Sequence, residues 1–397
     1  MDNKFSYRIN NAKASAIREI LKLMNDPEMI SFGGGNPASE SFPIAKLADI
    51  SNKLMREEPL RVLEYGITEG DPKLKEELRK FMNRNFVNVH ESDSMMITSG
   101  SQQIMDLLGR ALINDGDVVI SENPSFLGAL NAFKVNGATI KGITMEDDGL
   151  NLAELEEALK TIKNVKLIYL IPNFQNPSGI TTSLEKRKAI LELAIKYDVL
   201  ILEDNPYGEI RFANEHLPSI KSMDTTDHVV YAASLSKIVA PGMRIAAMVG
   251  SPELLLKCVV AKQSSDVHTN AWAQAMMAEF LRETDMDAHL KTICEIYREK
   301  ANLMLDKMAE TFAPDVKWTQ IEGGMFIWVT LPKRLDMQDF VKAALKHKVA
   351  VVPGNAFLDD DTKPCNSFRM NFSKPTKEQI IQGVAILGAL TKEQNDD

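Results

Sequence analysis

Cysteine is scarce in this chain of 397 residues: Cys258, Cys294 and Cys365 are three, odd in number, widely spaced and without a CxxC pair. Neither a disulfide framework nor a thiolate zinc site follows from that pattern, and no metal is expected. Dense Lys/Arg blocks are missing as well, and 46 basic against 55 acidic side chains leave a formal charge of −9. Phosphate-rich polymers require a basic stripe, so no nucleic-acid partner is expected. No apolar run approaches the roughly 20 residues of a membrane span. The greasiest stretches, 166–172 and 197–202, have the length of strands. The opening MDNKFSYRIN lacks the apolar segment of a secretory signal, which leaves the cytoplasm as the expected compartment. Repeats and low-complexity linkers are also absent.

What is present is an ordinary globular composition, 44% hydrophobic and 25% charged, which implies a packed interior. A single core stops growing at roughly 250 to 300 residues, so two domains, or one large domain with an appendage, are expected. Residues 71–84 read as an amphipathic helix, with Asp71 as N-cap, Pro72 at the first helical position and Leu74, Leu78, Phe81 and Met82 on one face. Short β-rich runs then alternate with helical stretches: Met95–Thr98, Val118–Ile120, Lys166–Ile171, Val199–Glu203, Val229–Ala233 and Ile245–Val249. Several are apolar almost throughout, as strands covered on both faces are. This predicts an α/β fold, a mostly parallel central sheet flanked by helices. After about residue 285 the pattern changes to a long helix (287–312) and mixed elements at 323–331, 337–346 and 368–372, a smaller α+β domain. The expected division is an N-terminal arm with part of the small domain (1–45), a large domain (46–285) and a C-terminal small domain (286–397).

In open α/β sheets ligands bind beyond the carboxyl ends of the strands. Those segments read Ser99-Gly100-Ser101-Gln102, Glu122-Asn123-Pro124-Ser125-Phe126, Pro172 through Gly179, Asp204-Asn205-Pro206-Tyr207 and Ser234-Leu235-Ser236-Lys237. Gly100 and Ser101 open a helix, whose free N–H groups and dipole attract an anion, though taken alone a plain N-cap is the better explanation. Ser234, Ser236 and Arg244 add hydroxyl and guanidinium donors suited to a phosphate monoester. Lys237, just past an apolar strand, is a candidate nucleophile if desolvated among cations; taken alone it is an ordinary solvated lysine. Asp204 is a carboxylate at a buried strand tip that requires a partner, with helix capping as the plain alternative. Tyr207, Asn176 and Phe126 offer a phenol, an amide and a flat ring, each also explicable by turns or packing. The whole set fits pyridoxal 5'-phosphate, which needs a lysine for its aldehyde, a carboxylate for its ring nitrogen and an anchor for its phosphate.

The combination Ser234-Leu235-Ser236-Lys237 with Arg244, Asn176-Pro177-Ser178-Gly179, Glu203-Asp204-Asn205-Pro206-Tyr207, Tyr65-Gly66-Ile67-Thr68-Glu69-Gly70 and Phe368-Arg369-Met370-Asn371-Phe372-Ser373 resembles the class I/II aminotransferases of PLP fold type I. The likeness spans the chain and is strongest to the 2-aminoadipate and kynurenine aminotransferase branch. It implies a homodimer with shared active sites, acting on amino acids and 2-oxo acids. Lys237 would carry the covalent link to the cofactor, Asp204 its ring nitrogen, and Asn176 and Tyr207 its phenolate oxygen. Ser101, Gln102, Ser234, Ser236 and Arg244 would surround the phosphate, with Tyr65 arriving from the neighbouring subunit. Arg369 would grip the substrate α-carboxylate, with Asn176, Gly35 and Arg18 also on the substrate side. Arg18, in the stretch Ala14–Ile20, would meet a distal carboxylate or swing aside for aromatic or aliphatic side chains; a surface arginine is the plain alternative. Phe126 departs from the family, which often has Tyr there, so ring stacking survives without the hydroxyl. Asn176-Pro177 resembles the family's cis peptide bond.

The implied chemistry is ping-pong transfer of an amino group, with 2-oxoglutarate and glutamate as one pair and aminoadipate, an aromatic or a branched aliphatic amino acid as the other. A β-eliminating C–S lyase and a non-catalytic cofactor sensor are the competing readings. The sensor is disfavoured because no DNA-binding segment precedes residue 30. Ser234–Lys237 also satisfies S-x-x-K, but companion S-D-N and K-T-G elements are missing. Gly33-Gly34-Gly35-Asn36-Pro37-Ala38 satisfies G-x-G-x-x-A without a βαβ unit around it.

Overall fold

The computed structural model describes residues 4–10, 28–84 and 87–392. Its strands are Ile30–Ser31 (β1), Ser94–Thr98 (β2), Val118–Asn123 (β3), Thr139–Glu146 (β4), Gly149–Leu150 (β5), Val165–Leu170 (β6), Leu200–Asn205 (β7), Val229–Ser234 (β8), Ala246–Gly250 (β9), Lys317–Trp318 (β10), Phe326–Thr330 (β11), Val349–Ala350 (β12), Val352–Pro353 (β13) and Ser367–Asn371 (β14). Eight of them form one sheet in the order β2-β9-β8-β7-β6-β3-β4-β5. The pairs from β4 through β3, β6 and β7 to β8 are parallel, whereas β9 runs antiparallel to both of its neighbours.

The apolar strands are explained by burial on both faces. Ile120, Ile168, Ile201 and Val229 pack on one side with Leu155, Leu159 and Ile190 of the helices Leu152–Thr161 and Leu184–Lys196. Their neighbours in sequence, Val119, Leu167, Leu202 and Val230, join the other core together with Ile104 and Leu108 of the helix Ser101–Leu112. The predicted helix at 71–84 is Pro72–Arg84, with Leu74, Leu78 and Met82 buried and the Asp71 carboxylate accepting the Lys73 N–H at 2.7 Å. The long predicted helix is Met286–Thr311, capped by Asp285.

One long strand was not expected from the sequence. β4 is interrupted by Lys141, Gly142 and Thr144, and its side chains alternate poorly between buried and exposed because only the short hairpin partner β5 lies beyond it. A second sheet, β10-β11-β14-β13, is wholly antiparallel and lies between residues 317 and 371. The segment before residue 45 joins it. β1 pairs with β12, and the Phe32 carbonyl accepts the Asn371 N–H at 2.7 Å. The Gly33–Ala38 stretch is irregular chain between β1 and the turn Ser39–Ser41, and because β1 pairs with β12 rather than with the next strand, no βαβ unit surrounds it.

Candidate active site

The strand ends of β2, β3, β6, β7 and β8 converge as polar chemistry requires. β7 delivers Asp204 to the carboxyl end of the parallel strands, 2% exposed, where its Oδ2 accepts the Tyr169 hydroxyl at 3.0 Å. Its Oδ1 is buried with no hydrogen-bond partner among the described residues. Burial raises this carboxyl to about 7 against the opposing pull of the Tyr169 bond and of Lys237.

Lys237 follows β8 in a turn, half-buried, with Nζ donating to the Gly35 carbonyl at 2.8 Å. Burial first, then the charges of Arg369 and Arg244, lower its amine to about 8. An amine in that range is still mainly protonated near physiological pH but keeps a far larger neutral fraction than an ordinary lysine, and the neutral form is the one that attacks carbonyls.

Arg369, on β14, is 3% exposed and donates Nη1 to Asn176 Oδ1 and Nη2 to the Gly33 carbonyl, each at 2.7 Å. Its guanidinium carbon lies 4.2 Å from the Phe326 ring centroid and 4.9 Å from that of Phe357. Asn176 also donates Nδ2 to the Tyr207 hydroxyl at 3.4 Å. Burial lowers Arg369 to about 10 and pushes the Tyr207 phenol up. Asn176–Pro177 is cis, as expected, and so is Asn123–Pro124.

The phosphate-type cradle has its own geometry. Gly100, with φ of 80°, caps the helix opened by Ser101. A Cβ added there would stand 2.3 Å from Arg244 Nη2, so the guanidinium lies directly on the helix N-terminus. Ser234 and Ser236 are both 7% exposed, and the Ser236 N–H bonds Ser234 Oγ at 3.3 Å. Gln102 donates to the Gly128 carbonyl at 2.7 Å, and Phe126 packs over Gly128 as the N-cap of the helix Leu127–Val135.

A model of the family "Aminotransferase class I and II" matches residues 27–387. The chain belongs to this family. It is 40% identical to an aromatic-amino-acid aminotransferase of Thermococcus litoralis over 98% of this chain and 94% of that one. A kynurenine aminotransferase of Pyrococcus horikoshii, solved with PMP, KYN and KYA, superposes with a TM-score of 0.95 at 38% identity, covering 100% of this chain and 98% of the other. LysN, the alpha-aminoadipate aminotransferase of Thermus thermophilus, complexed with N-(5'-phosphopyridoxyl)-L-leucine, gives a TM-score of 0.89 at 34% identity over 98% of each chain.

Aminotransferases of this family are pyridoxal-phosphate-dependent, and the donor set fits that cofactor. The orphaned Asp204 Oδ1 awaits a donor, the Gly100 turn admits an anion where a side chain would block it, and the amine of Lys237 is held neutral-prone between guanidinium groups. Tyr65 stands apart from this aminotransferase site, 84% exposed and edge-on to His268, with ring centroids 5.8 Å apart. Arg18 lies outside the described residues. Among those described, no helix is long and apolar enough to cross a membrane.

Several groups at the site carried no assigned role in the sequence. Tyr169 sits inside an apolar strand, where a buried hydroxyl had to find a partner; that was the available signal. Phe326 and Phe357 reach Arg369 from distant segments. Gln175 and Glu122 bond each other at 3.1 Å beneath the turns that carry Asn176 and Phe126.

Proposed function

We propose that this aminotransferase passes an amino group from an L-amino acid to a 2-oxo acid in two half-reactions, the first product leaving before the second substrate binds. Glutamate and 2-oxoglutarate form one pair; 2-aminoadipate, an aromatic or a branched aliphatic amino acid belongs to the other. The observation that carries the residue roles is the split environment of Asp204, one oxygen held by Tyr169 and the other buried and unpartnered.

When bound, pyridoxal phosphate supplies an aldehyde that joins amines and a ring that accepts electron density from the substrate carbon. Asp204 Oδ1 holds a proton on the ring nitrogen, which keeps that ring electron-poor. Lys237 Nζ would hold the cofactor aldehyde covalently and, when free, would serve as the base that carries the substrate Cα proton. General-base action of this kind contributes about 10² to 10⁴ in rate. Asn176 and Tyr207 hold the ring oxygen. Ser101, Gln102, Ser234, Ser236 and Arg244 hold the phosphate, with Tyr65 contributed by a second copy of the chain. Phe126 covers the ring and excludes water.

Arg369 orients the substrate by its α-carboxylate, its planar fork matching two oxygens. The rings of Phe326 and Phe357 flank that intrinsically planar fork and help screen it from water. Gly35 closes the substrate side, and Arg18 meets a distal carboxylate. The arm (1–45), the cofactor-carrying part (46–285) and the C-terminal part (286–397) are the proposed units, with substrate held between the last two.

A screen of amino donors against 2-oxoglutarate tests this. Glutamate formation, with parallel double-reciprocal lines, is the expected result. Release of pyruvate and ammonia from cystathionine without any acceptor would replace it with a C–S lyase.

A further inference from the structure

Between β6 and the helix Leu184–Lys196 the chain turns back on itself at 175–180. Its backbone closes this turn unaided, since the Gln175 N–H bonds the Ile180 carbonyl at 2.9 Å and the Gly179 N–H bonds the Gln175 carbonyl at 2.6 Å. The Gln175 side chain reaches further. It is wholly buried, with Nε2 donating to the Pro124 carbonyl at 2.8 Å and to Glu122 Oε2 at 3.1 Å. Its Oε1 accepts from Ser178 twice, from N at 2.9 Å and from Oγ at 2.7 Å. A primary amide has two donor hydrogens and two acceptor lone pairs, so every bond it can make is made. Such a fully satisfied buried amide has one orientation, which an apolar side chain of equal volume would not impose.

The two turns it joins matter for different reasons. The Asn123–Ser125 turn leads directly into Phe126, and its Ser125 N–H bonds the Phe357 carbonyl at 2.8 Å, beneath the ring that flanks Arg369. The other turn carries Asn176, which bonds both Tyr207 and Arg369. Glu122 steadies the clasp by also accepting the Ile171 N–H at 3.1 Å.

We infer that Gln175 is a positioning residue for the cofactor ring: its amide fixes the spacing between the Phe126 ring and the Asn176 amide. This rests on the proposed placement of those two side chains on the cofactor. Loss of the amide leaves both groups in place but unregistered. Displacements of an ångström at a catalytic centre cost up to about a hundredfold in rate, and a second-layer change of this kind is expected at about tenfold.

The test uses cofactor-loaded full-length protein and the variant Gln175→Met, which keeps shape and removes all four bonds. The readout is the visible circular dichroism of the cofactor band per mole of cofactor bound, with the cofactor Kd and kcat/KM alongside. The expected result is a dichroic band reduced by half or more, a weaker Kd and a lower kcat, with borohydride still trapping cofactor on Lys237. A dichroic band and Kd equal to wild type, with only Tm lowered, would overturn the inference. Gln175→Asn, too short to span both turns, reads the same quantity should the methionine variant misfold. Failure of both to fold assigns the residue to core stability alone and overturns positioning too. A wild-type protein without a Lys237 adduct would instead sink the underlying cofactor placement, a result distinct from any variant effect.

Discussion

Tyr169 donates its hydroxyl to Asp204 Oδ2 at 3.0 Å, from one parallel strand to the next, in a site closed to solvent. A hydrogen bond to a charged acceptor contributes about 1.5 to 3 kcal/mol. It acts on the ionised carboxylate, so it pulls the Asp204 pKa down against the upward push of burial. In the loaded enzyme a ring N–H on Oδ1 would lower that pKa further, and activity requiring ionised Asp204 would be lost as pH falls through the resulting value. Tyr169→Phe therefore moves the acidic limb of kcat/KM to higher pH by about one unit, the lower end of that range. A pH–rate profile measures it, and an unmoved limb excludes the coupling.

Lys237 has its amine lowered to about 8 by burial and by Arg369 and Arg244. Cofactor uptake by stripped protein needs the neutral amine, so its rate rises with pH through that value. Arg369→Met removes a neighbouring positive charge, raising the amine's pKa and shifting the rise toward alkaline pH. Lys237→Ala abolishes turnover, losing the base as well as the covalent link. Stopped-flow absorbance across pH 6 to 10 reads the shift, which an identical profile in both proteins would contradict.

Gly100 faces Arg244 so closely that any side chain displaces the guanidinium, and its positive φ penalises other residues by about 1 to 3 kcal/mol if that strain is retained. Gly100→Ala is expected to weaken cofactor binding about tenfold or more, the equivalent of 1.4 kcal/mol. Equilibrium dialysis is the measurement. Pyridoxal without its phosphate should lose little, because the damage is confined to the anion end.

Glu122 is buried, and burial raises it to about 8. Below the unfolded value, about 4.3, both states are protonated and the shift contributes nothing to the pH dependence. Between there and 8 the folded state retains a proton that the unfolded chain has lost, so this group makes stability fall as pH rises. Glu122→Gln removes that penalty. Its Tm relative to wild type is expected to be more favourable at pH 8 than at pH 5, in cofactor-free protein by calorimetry. A constant difference would mean that Glu122 does not titrate there.

Tyr65 projects from its own protomer. If it completes the neighbour's phosphate site, a hybrid of one Lys237→Ala and one Tyr65→Phe protomer contains one wholly wild-type centre. Such hybrids should retain half the wild-type activity with unaltered cofactor affinity. Were Tyr65 to serve its own protomer, the surviving centre would bind cofactor weakly.

The groups of the candidate centre were legible because they sit where chain order meets geometry, at the tips of apolar strands. Lys237, Asp204, Asn176 and the Ser99–Ser101 turn each follow a run that could only be a covered strand. Tyr169, Glu122 and Gln175 were not legible as a group, since their roles depend on which strands lie side by side. β4 escaped notice because Lys141, Thr144 and Glu146 are scattered over both of its faces, so no apolar or alternating run marks it. The sense of β9 was equally hidden. An apolar run of five residues reads the same in either direction.

That reversed strand has a consequence for how the centre tolerates change. Because β9 retraces β8, with Ala246 beside Ser234 and the Leu235 N–H on the Ile245 carbonyl at 3.3 Å, the amine and the guanidinium hang from opposite limbs of one return bend. A crossover connection would have delivered position 244 to the far rim of the sheet. The bend thus acts as a ruler: an insertion between 238 and 243 is expected to part the proposed nucleophile from the proposed phosphate anchor, whereas changes in the surrounding side chains leave their separation alone.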